Sequence, residues 1–120
     1  MKHGVPEDQW ARAKEQARSV LVEHAKRRAM TPYSTLVGQI DELELKAYDT
    51  RLFALLGEVS SEEADAGRGM LSALVVHKTG DMQPGPGFFE LAAELGLATA
   101  DLEKAWIAEV KKVFRAWAAD

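Results

Sequence analysis

The sequence predicts a mainly helical α+β domain: long amphipathic helices at the two ends, shorter helices between them, and a small β element. Three observations carry this. Apolar residues recur at three- and four-residue spacing near both ends of the chain. Asp, Ser or Thr stands before several periodic stretches and Gly stands after them, the residue types that start and stop helices. One run, residues 70–77, is apolar on both faces, as a short covered strand would be.

Residues 6–29 read as the first long helix. Pro6 suits a first turn, and Glu7 and Asp8 sit where the helix dipole favours negative charge. Trp10, Ala13, Ala17, Val20, Leu21 and His24 form one stripe. Lys26, Arg27 and Arg28 close the helix at its cation-favouring end. Pro32 then breaks it, because the residue before a proline avoids helical geometry. Ser34 is placed to cap a short helix from Thr35 to about Ile40, with Tyr33 packed at its entry.

Residues 41–48, with Asp41, Glu42, Glu44 and Lys46, read as a charged connection or another turn of helix. Asp49 caps the next helix, whose buried face is Leu52, Leu55, Leu56 and Val59. A second cap signal at Ser60 or Ser61 predicts a bend between Gly57 and Ser60, and Gly67 stops the helix. In the strand, Met70, Ser72, Leu74 and Val76 face one way and Leu71, Ala73, Val75 and His77 the other. Thr79-Gly80-Asp81 is turn chemistry, and the irregular Pro84-Gly85-Pro86-Gly87 leads into a short helix from Phe88 to Leu95, closed by Gly96. Thr99 caps the last helix, 99–118, with the stripe Leu102, Trp106, Ile107, Val110, Val113, Phe114 and Trp117. The two terminal helices are expected to pack together or to clasp the centre between them.

Composition narrows the function classes. At 120 residues the chain is one domain by length, large enough to fold without crosslinks or metals. With no cysteine, disulfides, thiol catalysis and cysteine-ligated zinc are all excluded, and a reducing compartment fits. No run of about 18 apolar residues is present, so no membrane-spanning helix is expected. The N-terminus turns acidic where a signal peptide would turn apolar, which predicts a cytoplasmic protein. Residues 1–30 carry seven Lys/Arg against four Asp/Glu, residues 31–98 four against eleven, and residues 99–120 four of each. An acidic centre is a poor partner for phosphate backbones.

In order, the centre reads helix, Pro-containing break, short helix, second helix, strand, turn, helix. Residues 31–98 therefore resemble a winged-helix core. Thr31-Pro32-Tyr33-Ser34 and Leu74-Val75-Val76-His77-Lys78-Thr79-Gly80-Asp81 also resemble, over about sixty residues, the DNA-binding domain of alkyltransferase and alkyltransferase-like proteins. That family carries a Thr-Tyr-Gly segment and a Cys-His-Arg-Val-Val strand at these places. Here Ser72-Ala73-Leu74-Val75 stands where the reactive cysteine would be, so alkyl transfer by that route is excluded. The stretch from Gly67 through Phe89 is similar to small bacterial proteins, a likeness that implies no activity.

No constellation of catalytic residues stands out. His3, His24 and His77 lack partners at metal spacing, and a packed or capping role suits each. Ser72, His77 and Asp81 are the residue types of a triad, but Ser72 has no Gly-x-Ser-x-Gly elbow; a hydrolase would need an open pocket beside His77. Glu44-Leu45-Lys46 has the Glu-x-Lys spacing of Mg²⁺-dependent nucleases without the strand that such a site needs. The Pro84–Gly87 loop lacks the P-loop pattern, and Glu90 would repel phosphate. No cofactor or metal is called for.

The leading expectation is a non-catalytic interaction or regulatory module that binds another protein, a second copy included, through Trp106, Trp117, Phe88 and Phe89. The alternative is a DNA-associated winged-helix protein using Lys26, Arg27, Arg28, Lys78, Lys111 and Arg115. Its third helix offers Arg51 and then Glu58, Glu62, Glu63 and Asp65, which a groove repels. An exposed tryptophan patch would favour the first reading; alignment of those cations on one surface would favour the second.

Overall fold

A computed structural model describes residues 1–77 and 83–118. The helical order is as expected. Helix α1 spans Glu7–Lys26, strand β1 Thr31–Pro32, α2 Tyr33–Gly38, α3 Thr50–Asp65, strand β2 Val75–Val76, α4 Pro86–Glu94 and α5 Leu102–Trp117. A 3-10 turn, Leu71–Leu74, precedes β2. The fold is mainly helical with a small two-stranded parallel sheet, in register Thr31 to Val75 and Pro32 to Val76.

Helix α1 buries Trp10, Ala13, Ala17, Leu21 and Ala25. Three of these are alanines, so neighbouring backbones come close. Helix α3 runs alongside in the same direction: Trp10 meets Glu58, Lys14 meets Glu62, and Arg18 meets Glu63. Asp49 caps α3 as expected, accepting the Arg51 N–H at 2.9 Å. The expected bend at Gly57–Ser60 is absent. The helix runs through, because Ser60 turns its hydroxyl into the core rather than capping a new start. Gly67, at φ +79°, ends the helix and lets the Arg68 N–H reach back to the Glu63 carbonyl.

Three further expectations shift. Helix α2 starts at Tyr33, with extended Pro32 before it, rather than at a Ser34 cap. Helix α5 is capped by Asp101, which accepts the Lys104 N–H at 3.1 Å, and not by Thr99. Ile107 falls off its buried face, 39% exposed, and Leu102, on the buried side but at the first residue of the helix, is 48% exposed.

The largest correction concerns residues 70–77. Burial is as predicted, since every residue from 70 to 76 is buried, but only Val75–Val76 is a strand. The preceding segment coils because side chains, not strand neighbours, satisfy its backbone. Glu109 accepts the Met70 N–H at 2.9 Å and Ser60 accepts the Ser72 N–H at 3.0 Å. Trp106 donates its indole N–H to the Ala73 carbonyl at 2.8 Å. α1, α3 and α5 all contact this turn, and α1 also contacts α5. The terminal helices thus clasp the centre as expected. Beyond β2, the His77 N–H donates to the Gln83 carbonyl at 3.0 Å. The predicted turn Thr79-Gly80-Asp81, with Lys78, lies outside the described residues.

Candidate functional site

A cleft of about 470 Å³ opens between α3, α4 and the loop before α4. That volume is in the range of ligand- and side-chain-binding pockets. Phe53, Leu56 and Gly57 line it from α3, Phe88 and Leu91 from α4, and Tyr33 from α2. Gly57 faces α4: a Cβ there would lie 4.0 Å from Leu91 Cδ2, an ordinary contact. Phe53 is 45% exposed at the mouth, against the edge of Tyr33 at 6.0 Å between ring centroids. Glu90 and Glu94, one turn apart on α4, add two carboxylates to the lining.

Loop chemistry holds the rear wall. The Gly85 N–H donates to the Tyr33 hydroxyl at 3.0 Å, and the His77 ring lies 5.3 Å from that of Tyr33. Burial raises the Tyr33 pKa above its ordinary 10.0, against a smaller lowering by the Gly85 N–H. One backbone donor of the Pro-Gly-Pro-Gly loop is therefore already engaged and is not free for an anion. Pro86 begins α4, where its missing N–H costs nothing.

Ser72 and His77 both line this cleft, so the open pocket beside His77 exists. Ser72 is nevertheless engaged as a core residue: its Oγ receives the Ser60 hydroxyl at 2.6 Å. No hydrogen bond joins it to His77 among the described residues, and Asp81 lies outside them. His24 is a packing residue, its Nδ1–H donating to the Val20 carbonyl at 2.8 Å, and His3 lies 4.7 Å from Trp10, ring to ring.

The four predicted apolar contacts separate. Phe88 is buried at the cleft, with Phe89 edge-on to it at 5.2 Å. Trp106 spends its N–H on Ala73 and is half-buried. Trp117 is half-buried under Arg68, whose guanidinium carbon lies 5.3 Å from the ring centroid, and its Nε1 has no hydrogen-bond partner among the described residues. The tryptophans therefore do not form an exposed patch. Sequence reasoning missed Phe53 because it read α3 only for its buried stripe, where Phe53 breaks the pattern.

The six cations named for nucleic acid come from three segments of the chain. Lys26 sits 3.8 Å from Glu23, Arg27 reaches the Glu23 carbonyl, and Arg28 follows the Arg27 C-cap at φ +54°. Lys111 and Arg115 are exposed on α5, Lys112 beside them, and Lys78 lies outside the described residues. In the Asp41–Lys46 connection, Glu42 accepts Arg12 at 2.8 Å and Glu44 accepts Arg51 through its carbonyl. Among the described residues no group of three or more His, Asp or Glu is placed to hold a metal, and no helix is long and apolar enough to cross a membrane.

The main electrostatic feature lies between α1 and α3. Glu63, 1% exposed, accepts Arg68 at 2.7 Å and Arg18 at 2.6 Å. Arg18 also pairs with Glu62, Lys14 bridges Glu62 and Glu58, and Lys2 closes on Glu58 at 3.0 Å. The Arg68 guanidinium, then Arg18, holds the Glu63 carboxyl below the ordinary range despite burial. The Lys14 ammonium does so for Glu62. At Glu58 burial is the largest influence and pushes upward, but Lys2, the Trp10 N–H and Lys14 together outweigh it. This network binds helix to helix and leaves no open site.

No protein-family model matches this chain, and no match is found among curated proteins or solved structures.

Proposed function

We propose that this chain is a non-catalytic interaction module that binds another protein, taking an apolar side chain of its partner into the α3–α4 cleft. One observation carries the reading: an open, aromatic-walled cleft whose carboxylates, Glu90 and Glu94, have no counter-charge among the described residues. Glu90 and Glu94 make no ion pair among the described residues, whereas most acids of α3 do. A partner segment with an aliphatic or aromatic anchor beside Lys or Arg satisfies both features. The winged-helix arrangement of the centre and a cytoplasmic setting, which suits a cysteine-free chain, belong to the same proposal.

The test uses a labelled amphipathic helical peptide of Leu and Lys, against a control with Glu in place of Lys. The Lys peptide is expected to bind and to shift backbone resonances around Phe53 and Leu91. Phe53→Ser is expected to weaken binding at least about tenfold. Binding that ignores Phe53→Ser, or equal binding of the Glu peptide, would sink the reading.

The cations of α5, unpaired among the described residues, support a second reading, electrostatic attachment to a nucleic-acid backbone. Labelled random duplex at low salt, repeated at higher salt, tests it; tight binding that collapses with salt is the expected signature.

A further inference from the structure

Helix α5 carries on its outer face what the cleft lacks. Ile107 is a large apolar residue left 39% exposed, and Lys104, Lys111 and Arg115 share its side of the helix without an acidic partner among the described residues. Lys111 and Arg115 are spaced i, i+4, as are Glu90 and Glu94, so each pair is offset by about 6 Å along its helix axis. Ile107 lies one turn before Lys111 on the same side. No α5 residue lines the cleft of its own chain.

From this complementarity we infer that the partner is a second copy of this chain, whose α5 outer face seats against the α3–α4 cleft. Ile107 enters between Phe53 and Leu91, while Lys111 and Arg115 meet Glu90 and Glu94. Each copy carries one donor face and one acceptor cleft, and in the inferred twofold dimer each α5 face occupies the cleft of the other copy. The inference rests on the cleft reading above and adds the identity of the occupant.

Sedimentation velocity over a range of concentrations, with helicity measured on every variant, tests it. Wild-type protein is expected to dimerise, and more weakly at high salt. Lys111→Glu with Arg115→Glu, and separately Glu90→Lys with Glu94→Lys, are each expected to weaken self-association at least about tenfold. Mixing the two folded double variants is expected to restore a heterodimer, because both contacts regain opposite charges. Ile107→Ser is expected to weaken the dimer with no change in charge. A wild-type monomer at every concentration overturns the inference, and so does a dimer indifferent to both reversals. If that monomer still binds the Leu-Lys peptide, the cleft reading stands and only the identity of the occupant falls. If it binds neither, both fall. Duplex binding lost in Lys111→Glu with Arg115→Glu, with self-association unchanged, assigns the α5 face to nucleic acid instead.

Discussion

Ser60 and Ser72 share a hydrogen bond of 2.6 Å between their hydroxyls inside the core, and the Ser60 oxygen also accepts the Ser72 backbone N–H at 3.0 Å. One α3 hydroxyl thus serves both a side chain and the main chain of the buried 3-10 turn. Ser60→Ala leaves two buried polar groups of Ser72 without this partner. A loss of about 1–3 kcal/mol is expected, read as a lower urea midpoint at unchanged slope. Ser72→Ala keeps the N–H bond to Ser60 and is expected to cost less. Equal stability of Ser60→Ala and wild type would contradict this account.

Trp106 plays the matching part from α5 through its bond to the Ala73 carbonyl. Trp106→Phe keeps most of the ring volume and removes only the donor. The expected cost is about 1–3 kcal/mol, and the amide exchange of residues 70–76 should quicken with it. A variant as stable as wild type would mean that another group meets this carbonyl.

Arg28 ends α1 at φ +54°, a left-handed position that glycine occupies at lower cost, while the Ala29 N–H bonds back to the His24 carbonyl. Arg28→Gly is therefore expected to stabilise the fold by up to about 1 kcal/mol, a rise in Tm. Gly69 gives the opposite result. It sits at φ +87°, and an added Cβ would lie 3.1 Å from Val113 Cγ2, so Gly69→Ala should lower Tm clearly.

The carboxyls of Glu58, Glu62 and Glu63 are all held below their ordinary 4.5 in the folded chain. Above that value they are ionised in folded and unfolded chains alike, and their ion pairs contribute fully. As pH falls below it, the unfolded chain takes up protons first, so stability declines until the folded carboxyls protonate too. Thermal melts at neutral pH and at mildly acidic steps should show this slope. Glu63→Gln is expected to flatten it and to cost about 1–3 kcal/mol at neutral pH, less than for a fully buried pair because both arginines keep contact with solvent. A slope unchanged in Glu63→Gln would remove Glu63 from the account.

Much of the fold was legible because its signals are local. The apolar spacing of α1, the Asp49 cap and the Gly67 and Gly96 stops each act within a few residues, and each appears where expected. The candidate site was less legible. Phe88 and Phe89 were singled out, but the cleft needs Phe53, Tyr33 and Leu91, which come from three helices. Trp106 and Trp117 looked like contact surface because large aromatics on a periodic face read alike whether they meet a partner or their own core.

The amino-acid pattern alone settled the order of the helices, most of their ends, and the burial of residues 70–76. These depend on hydrogen bonds and periodicity inside a short window. Tertiary structure decided what that buried run became. An apolar run specifies burial but not backbone shape, and its partners Ser60, Trp106 and Glu109 stand 12, 33 and 39 residues away. Tertiary structure likewise turned Ile107 outward and opened the cleft beside Phe53. Which side of a helix finds a neighbour is set by the elements that pack against it.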